Sequence, residues 1–176
     1  MDLELNVAIC DDEEYYRHYI ENLVRGYLVK KNVLFRIELF ENGKDFCETE
    51  NNFQKFDIIF LDIEMEGMNG METAYSIREK NCEMDIVFIT IMPDYVFEGY
   101  KVSAVRYIMK KELDKLLFEC LADILKKRKC SGHKMEISFV GGKRTVLLDD
   151  ILYIESKSHK LLFKKGDDVL YMYGKI

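Results

Sequence analysis

Two adjacent carboxylates, Asp11 and Asp12, follow the apolar run Leu5 to Cys10, and a third, Asp62, closes the run Asp57 to Leu61. Thr90 follows Ile86 to Ile89, and Lys110 follows Val105 to Met109. Each of these residues stands where a strand-like run ends. In an open parallel α/β sheet the carboxyl ends of the strands gather at one edge, where such sheets bind ligands. Three carboxylates, a hydroxyl and an amine then converge. Carboxylate oxygens suit a hard cation such as Mg²⁺, and a lysine with a hydroxyl suits a phosphoryl anion. Taken singly, each has a plainer role: Asp11 and Asp12 as helix-capping acids ahead of Glu13 and Glu14, Lys110 as an exposed charge, Thr90 as a β-branched strand residue. Only the set carries the chemistry.

The elements that must position this set are written in alternating periods. Apolar residues at 16, 19, 20, 23, 24, 27 and 28 make one helical stripe, and those at 113, 116, 117, 120, 121, 124 and 125 make another. Between them lie strand candidates Val33 to Phe40, Asp57 to Leu61, Ile86 to Ile89 and Val105 to Met109, separated by helical stretches near 43–50, 70–80 and 94–101. With Leu5 to Cys10 these give five βα units. Near-continuous apolar strands alternating with helices predict an α/β fold, a five-stranded parallel sheet covered on both faces. Beyond Cys130-Ser131-Gly132-His133, which reads as part of a linker over 128–134, the period changes to two. Met135 to Val140, Arg144 to Leu148, Ile151 to Glu155, Leu161 to Lys165 and Val169 to Tyr173 predict a small all-β segment over 135–176.

The 176 residues allow one full domain and a smaller piece, and 48% hydrophobic content fits a globular core. No apolar run approaches the ~20 residues of a membrane span, and Met1-Asp2-Leu3-Glu4 is no signal peptide, so a soluble, cytoplasmic protein with no membrane partner is expected. Cys10, Cys47, Cys82, Cys120 and Cys130 are odd in number and widely spaced, which suggests neither a disulfide framework nor a zinc knuckle. Charge divides the chain. Residues 1–125 hold 14 Lys/Arg against 26 Asp/Glu, whereas residues 126–176 hold 12 against 6. A basic segment on an acidic domain suits nucleic-acid binding, although the run Lys126-Lys127-Arg128-Lys129 also complements a helix dipole at its C-terminus.

Four motifs in this order resemble the response-regulator receiver domain over about residues 1–127: Ala8-Ile9-Cys10-Asp11-Asp12-Glu13-Glu14, the stretch Phe60-Leu61-Asp62-Ile63-Glu64-Met65-Glu66-Gly67-Met68-Asn69-Gly70, Thr90, and Tyr107-Ile108-Met109-Lys110. The resemblance implies a flavodoxin-like, doubly wound fold and a phosphoryl acceptor rather than an enzyme. It implies that Asp62 takes a phosphoryl group from a sensor histidine kinase. Asp12, Asp62 and the backbone carbonyl of Glu64 would hold Mg²⁺ directly, with Asp11 acting through water. Lys110 would pair with the phosphoryl group, and Thr90 would hydrogen-bond it while Tyr107 turns inward as the switch. The face of the fourth helix, fifth strand and fifth helix would then support a phosphorylation-promoted homodimer, with Lys101, Arg106 and Lys115 near Glu98, Glu112, Asp114 and Glu119.

The sequence departs from the family pattern at three places. The residue after the switch threonine is usually small and is Ile91 here, which narrows access. Lys110 is usually followed by a cis-proline; Lys111 stands there, and because a non-proline cis bond costs ~2.5–4 kcal/mol a trans or strained loop is expected. Glu66 replaces the usual proline of the Asp62 loop.

Residues 134–176 resemble the start of a LytTR-type DNA-binding domain, on the strand series, on Leu148-Asp149-Asp150-Ile151-Leu152-Tyr153-Ile154-Glu155-Ser156 and on Lys157-Ser158-His159-Lys160. That implies transcription control, with Lys157, His159 and Lys160 in a DNA-contacting loop; a charged hairpin turn is the plainer alternative. The family's remaining strands and second contact loop have no counterpart before Ile176, so a partial domain is expected. A stand-alone receiver working through protein contacts is the alternative. A haloacid-dehalogenase phosphatase would need a second Asp two residues after the nucleophile, where Glu64 stands.

Overall fold

The computed structural model describes residues 4–48, 52–80, 83–93, 95–130, 134–147, 151–157, 160–166 and 168–173. The chain divides into two compact units, Met1–Ala122 and Asp123–Ile176.

In the first unit β1 (Glu4–Cys10), β2 (Leu34–Phe40), β3 (Ile58–Leu61), β4 (Asp85–Thr90) and β5 (Arg106–Met109) form one parallel sheet in the order β2-β1-β3-β4-β5. The order reverses direction between β1 and β3, so the crevice outside their carboxyl ends is the ligand edge of the sheet. The helices are α1 (Glu14–Lys30), α2 (Gly43–Glu48), α3 (Asn52–Lys55), α4 (Gly70–Lys80), α5 (Val96–Lys101) and α6 (Leu113–Cys130). β3 and β4 are buried at every residue, as strands covered on both faces must be. Alternate strand residues therefore serve two cores. Ala8, Ile59, Leu61, Ile86 and Phe88 pack in one cluster with Phe46, Phe53, Phe56, Ala74 and Ile77. On α1 the buried residues are Arg17, Ile20, Val24 and Leu28, one helical face.

The helix expected over 43–50 is present over Gly43–Glu48, with 49 and 50 outside the described residues, and α3 follows at Asn52–Lys55. Asn52 is buried, and its Nδ2 donates to the Phe46 carbonyl at 2.8 Å, satisfying an α2 acceptor from outside that helix. The expected linker is shorter. α6 runs to Cys130 through the basic run, where cations complement the helix dipole, and a strand already includes Lys134. No peptide bond among the described residues is cis.

In the second unit β6 (Lys134–Phe139) and β7 (Gly142–Leu147) form an antiparallel hairpin, and β8 (Tyr153–Lys157), β9 (Lys160–Lys165) and β10 (Asp168–Tyr173) form a three-stranded antiparallel sheet. β7 begins two residues earlier than expected because Gly141 and Gly142, both at positive φ, turn the chain tightly. β8 lies two residues later than expected, and its last residue, Lys157, pairs in register with Lys160. Ile137, Phe139, Val146 and Phe163 form the core of this unit, with the Phe139 and Phe163 rings edge to face at 5.4 Å.

Candidate functional site

The ladder between β1 and β3 sets Cys10 opposite Leu61, and the Asp62 N–H extends it by donating to the Cys10 carbonyl at 2.9 Å. Asp11 and Asp62 thus leave neighbouring strand ends side by side. Both are buried, with relative exposures of 1% and 3%. The Lys110 ammonium joins them across the sheet edge, 2.7 Å from Asp62 Oδ2 and 2.9 Å from Asp11 Oδ2. Glu13 Oε1 lies 3.1 Å from the same nitrogen, and the Tyr16 ring centroid 4.0 Å from it.

Backbone groups fix the carboxylates. Asp11 Oδ1 accepts the Glu13 N–H at 2.9 Å, and Asp62 Oδ1 accepts the N–H groups of Ile63 at 2.6 Å and Glu64 at 3.4 Å. Asp12 is exposed, and its Oδ2 accepts the Glu66 N–H at 3.2 Å, tying the two acidic loops together. Buried Arg17 reaches back from α1 to the carbonyls of Asp11 at 2.7 Å and Asp12 at 2.9 Å. The Asp62 loop is held at its far end by a reciprocal cap: Asn69 Oδ1 accepts the Glu72 N–H at 2.9 Å, while Glu72 Oε2 accepts the Asn69 N–H at 3.0 Å. Gly70 follows. A Cβ there would stand 1.9 Å from the Asp62 carbonyl oxygen, so the loop closes only on glycine.

Burial is the largest influence on both charges at the centre. It lifts the Asp11 carboxyl from 3.8 to about 6, against the lowering effect of Lys110. Burial pushes Lys110 down, but hydrogen bonds and charge from Asp62 and Asp11 outweigh it, and the ammonium is held above its ordinary range. Oxygen atoms of Asp11, Asp12 and Asp62 lie within 4.8 Å of one another. Three hard oxygen donors at that spacing, one on a carboxyl whose proton is held by burial, fit a divalent cation of the Mg²⁺ class.

Thr90 is fully buried, and its Oγ1 accepts the Met92 N–H at 3.3 Å. The Tyr107 hydroxyl donates to the Met92 carbonyl, and its ring lies 6.0 Å from Phe88. One peptide segment therefore links Thr90 to Tyr107. Beside it a cavity of about 210 Å³ is lined by Ile63, Glu64, Met65, Asn69, Met92 and Tyr95. Ile91 is 56% exposed.

On the face expected to pair two copies, Lys101 is 2.9 Å from Glu98 and Arg106 is 3.7 Å from Glu119 within the chain. In the second unit Lys160 is exposed at the start of β9. Ser158 and His159 lie outside the described residues.

Glu13, Tyr16 and Arg17 take part in the site without having been expected from the sequence. Arg17 carries a legible signal, because it shares the spacing of the inward residues Ile20, Val24 and Leu28. Glu13 and Tyr16 carry none beyond their nearness to Asp12.

Residues 7–122 match the response regulator receiver domain family. The chain is 28% identical over 171 residues to the transcriptional regulatory protein RprY of Bacteroides fragilis, covering 95% of this chain and 69% of that protein. It is 28% identical over 176 residues to the sensory transduction protein LytT of Bacillus subtilis, covering 93% and 70%. In three further relatives the similarity spans only 43–46% of their length. Among solved structures, the response regulator TrrA of Thermotoga maritima in complex with Mg²⁺–BeF is 25% identical with a TM-score of 0.59, covering 68% of this chain and 98% of that one. No helix among the described residues is long and apolar enough to cross a membrane.

Proposed function

The chain belongs to the response regulator receiver family, and from that premise we propose that it accepts a phosphoryl group on Asp62 from a sensor histidine kinase and relays the change to a DNA-binding output. The observation that carries this reading is the convergence of Asp62, Asp11 and Lys110 at the switch point of the sheet, with Asp12 and Thr90 at adjoining strand ends.

Asp11, Asp12 and Asp62 would hold Mg²⁺ with the carbonyl of Glu64. Bound there, the ion would supply positive charge to neutralise the transferring group. An Asp62 carboxylate oxygen bonds to phosphorus as the P–N bond of the phosphohistidine breaks, and that electron pair returns to the imidazole. Lys110, already aimed by two buried carboxylates, meets the developing negative charge on the phosphoryl oxygens. The Thr90 hydroxyl, whose oxygen accepts the Met92 N–H, would move to donate its proton to the phosphoryl group, and Met92, whose carbonyl accepts the Tyr107 hydroxyl, would pass that movement to Tyr107. Dimerisation through α5, β5 and α6 would exchange the Lys101–Glu98 and Arg106–Glu119 pairs for contacts between copies. The output is read on the similarity to LytT and on the LytTR resemblance of residues 134–176, with Lys157, His159 and Lys160 as its DNA-contacting residues.

Intact-mass measurement with acetyl phosphate tests the acceptor. The wild type should gain one phosphoryl group in Mg²⁺ and none in a chelator, and Asp62→Asn should gain none. Full labelling of Asp62→Asn would refute the assignment. In sedimentation, beryllofluoride should raise the dimer fraction; a strictly monomeric activated protein would remove the dimer.

A further inference from the structure

The Lys110 ammonium has three protons, and three carboxylate oxygens surround it, on Asp62 at 2.7 Å, Asp11 at 2.9 Å and Glu13 at 3.1 Å. The Asp62 and Glu13 contacts are hydrogen bonds, and a phosphoryl oxygen that bonds Lys110 competes with them for the ammonium. Asp11 and Asp62 are buried and belong to the set that would hold Mg²⁺, and Asp62 is itself the residue that would carry the phosphoryl group, so neither is free to leave the centre. The Glu13 side chain is 57% exposed, so water can take over its carboxylate at once. Glu13 is thus the one of the three that can leave the ammonium without disturbing the metal and acceptor set.

We propose that Glu13 is a positioning residue that occupies, on Lys110, the place a phosphoryl oxygen takes when Asp62 is loaded. Glu13 competes with the phosphoryl group and weakens the loaded state. The aim of Lys110 does not depend on it, because Asp11, Asp62 and the Tyr16 ring hold the ammonium from other sides. Its own placement does not depend on its carboxylate either. The Glu13 N–H is fixed by Asp11 Oδ1, and its side chain makes no capping bond to α1. The proposal rests on the reading of Asp62 as the phosphoacceptor.

Calorimetric titration of beryllofluoride, a phosphoryl stand-in, into the Mg²⁺-loaded full chain tests it. Glu13→Gln keeps the shape and removes the charge, and it should bind roughly two- to fivefold more tightly, the range expected when a partly exposed ion pair no longer competes. Glu13→Asp keeps the charge but ends one methylene short of Lys110, and it should behave like Glu13→Gln. Equal or weaker binding by Glu13→Gln would overturn the proposal. So would wild-type affinity in Glu13→Asp beside tighter binding in Glu13→Gln, since that pattern belongs to general charge repulsion. Beryllofluoride binding that is absent from the wild type and all variants would instead sink the phosphoacceptor reading, and this proposal with it. Binding by the wild type that Asp62→Asn abolishes separates the two failures.

Discussion

Asp11 is the residue whose ionisation the fold opposes. Its carboxyl is raised from 3.8 to about 6, with burial the first cause, so the native state holds the proton more tightly than the unfolded chain does. Its contribution to stability is therefore full below pH 3.8 and is lost as pH rises to about 6. Above that pH the ionised group opposes folding by about 3 kcal/mol at most. Lys110 has the ordinary sign for a paired base: raised above 10.5, it contributes stability that is full below that pH and lost on the alkaline side. Asp11→Asn should therefore raise the Tm of the metal-free protein near neutral pH and flatten its pH dependence between 3.8 and about 6. Millimolar Mg²⁺ should stabilise the wild type and lose most of that effect in the variant. Thermal scans with chelator and with Mg²⁺ check both, and a lower neutral-pH Tm for the metal-free variant would mean that attraction to Lys110 outweighs burial. The central residues are legible in the sequence because each follows an apolar run that marks its place on the sheet edge. Glu13 and Tyr16 are not, because only the turn after Asp12 and the first turn of α1 bring them over Lys110.

At the scale of elements, the site depends on how α4 begins. The Asn69–Glu72 cap and the Gly70 N–H, which donates to the Ile63 carbonyl at 3.0 Å, close the Asp62 loop onto the first turn of that helix. Gly70→Ala sets a methyl 1.9 Å from the Asp62 carbonyl oxygen, and backbone cannot swing aside as a side chain can. The expected outcome is a loss of about 1–3 kcal/mol in denaturant unfolding, together with slower labelling by acetyl phosphate. Unchanged labelling at reduced stability would mean that the loop relaxes without moving Asp62. Strands and long helices are legible because their periods are strong. The side-chain bond from Asn52 to the Phe46 carbonyl is not, since no period encodes it. The two-residue shifts of β7 and β8 have the same origin, because turn geometry sets where pairing starts and a one-residue change reverses every facing.

For the whole molecule, charge is the property that separates the two units. Residues 1–122 carry 25 acids against 14 bases and repel a polyanion, while residues 123–176 carry 12 bases against 7 acids. The strands of the second unit present Lys143 and Arg144 on β7 and Lys160, Lys164 and Lys165 on β9. Phosphate contacts of this kind orient a protein on DNA without reading its sequence, and each one adds to the salt dependence through counterion release. With few cations and one expected contact loop, this chain should bind duplex DNA in the nonspecific range, about 10⁻⁴–10⁻⁶ M at physiological salt. Fluorescence anisotropy with a promoter duplex and a scrambled duplex at two salt concentrations measures both quantities. Replacing Lys160 and Lys164 together by Ala should lower affinity for the two duplexes alike and reduce the salt slope by roughly 2, at ~0.9 per phosphate neutralised. An unchanged slope would place the phosphate contacts elsewhere. Nanomolar, sequence-selective binding would show that these strands already hold enough base-reading groups to act as a recognition module.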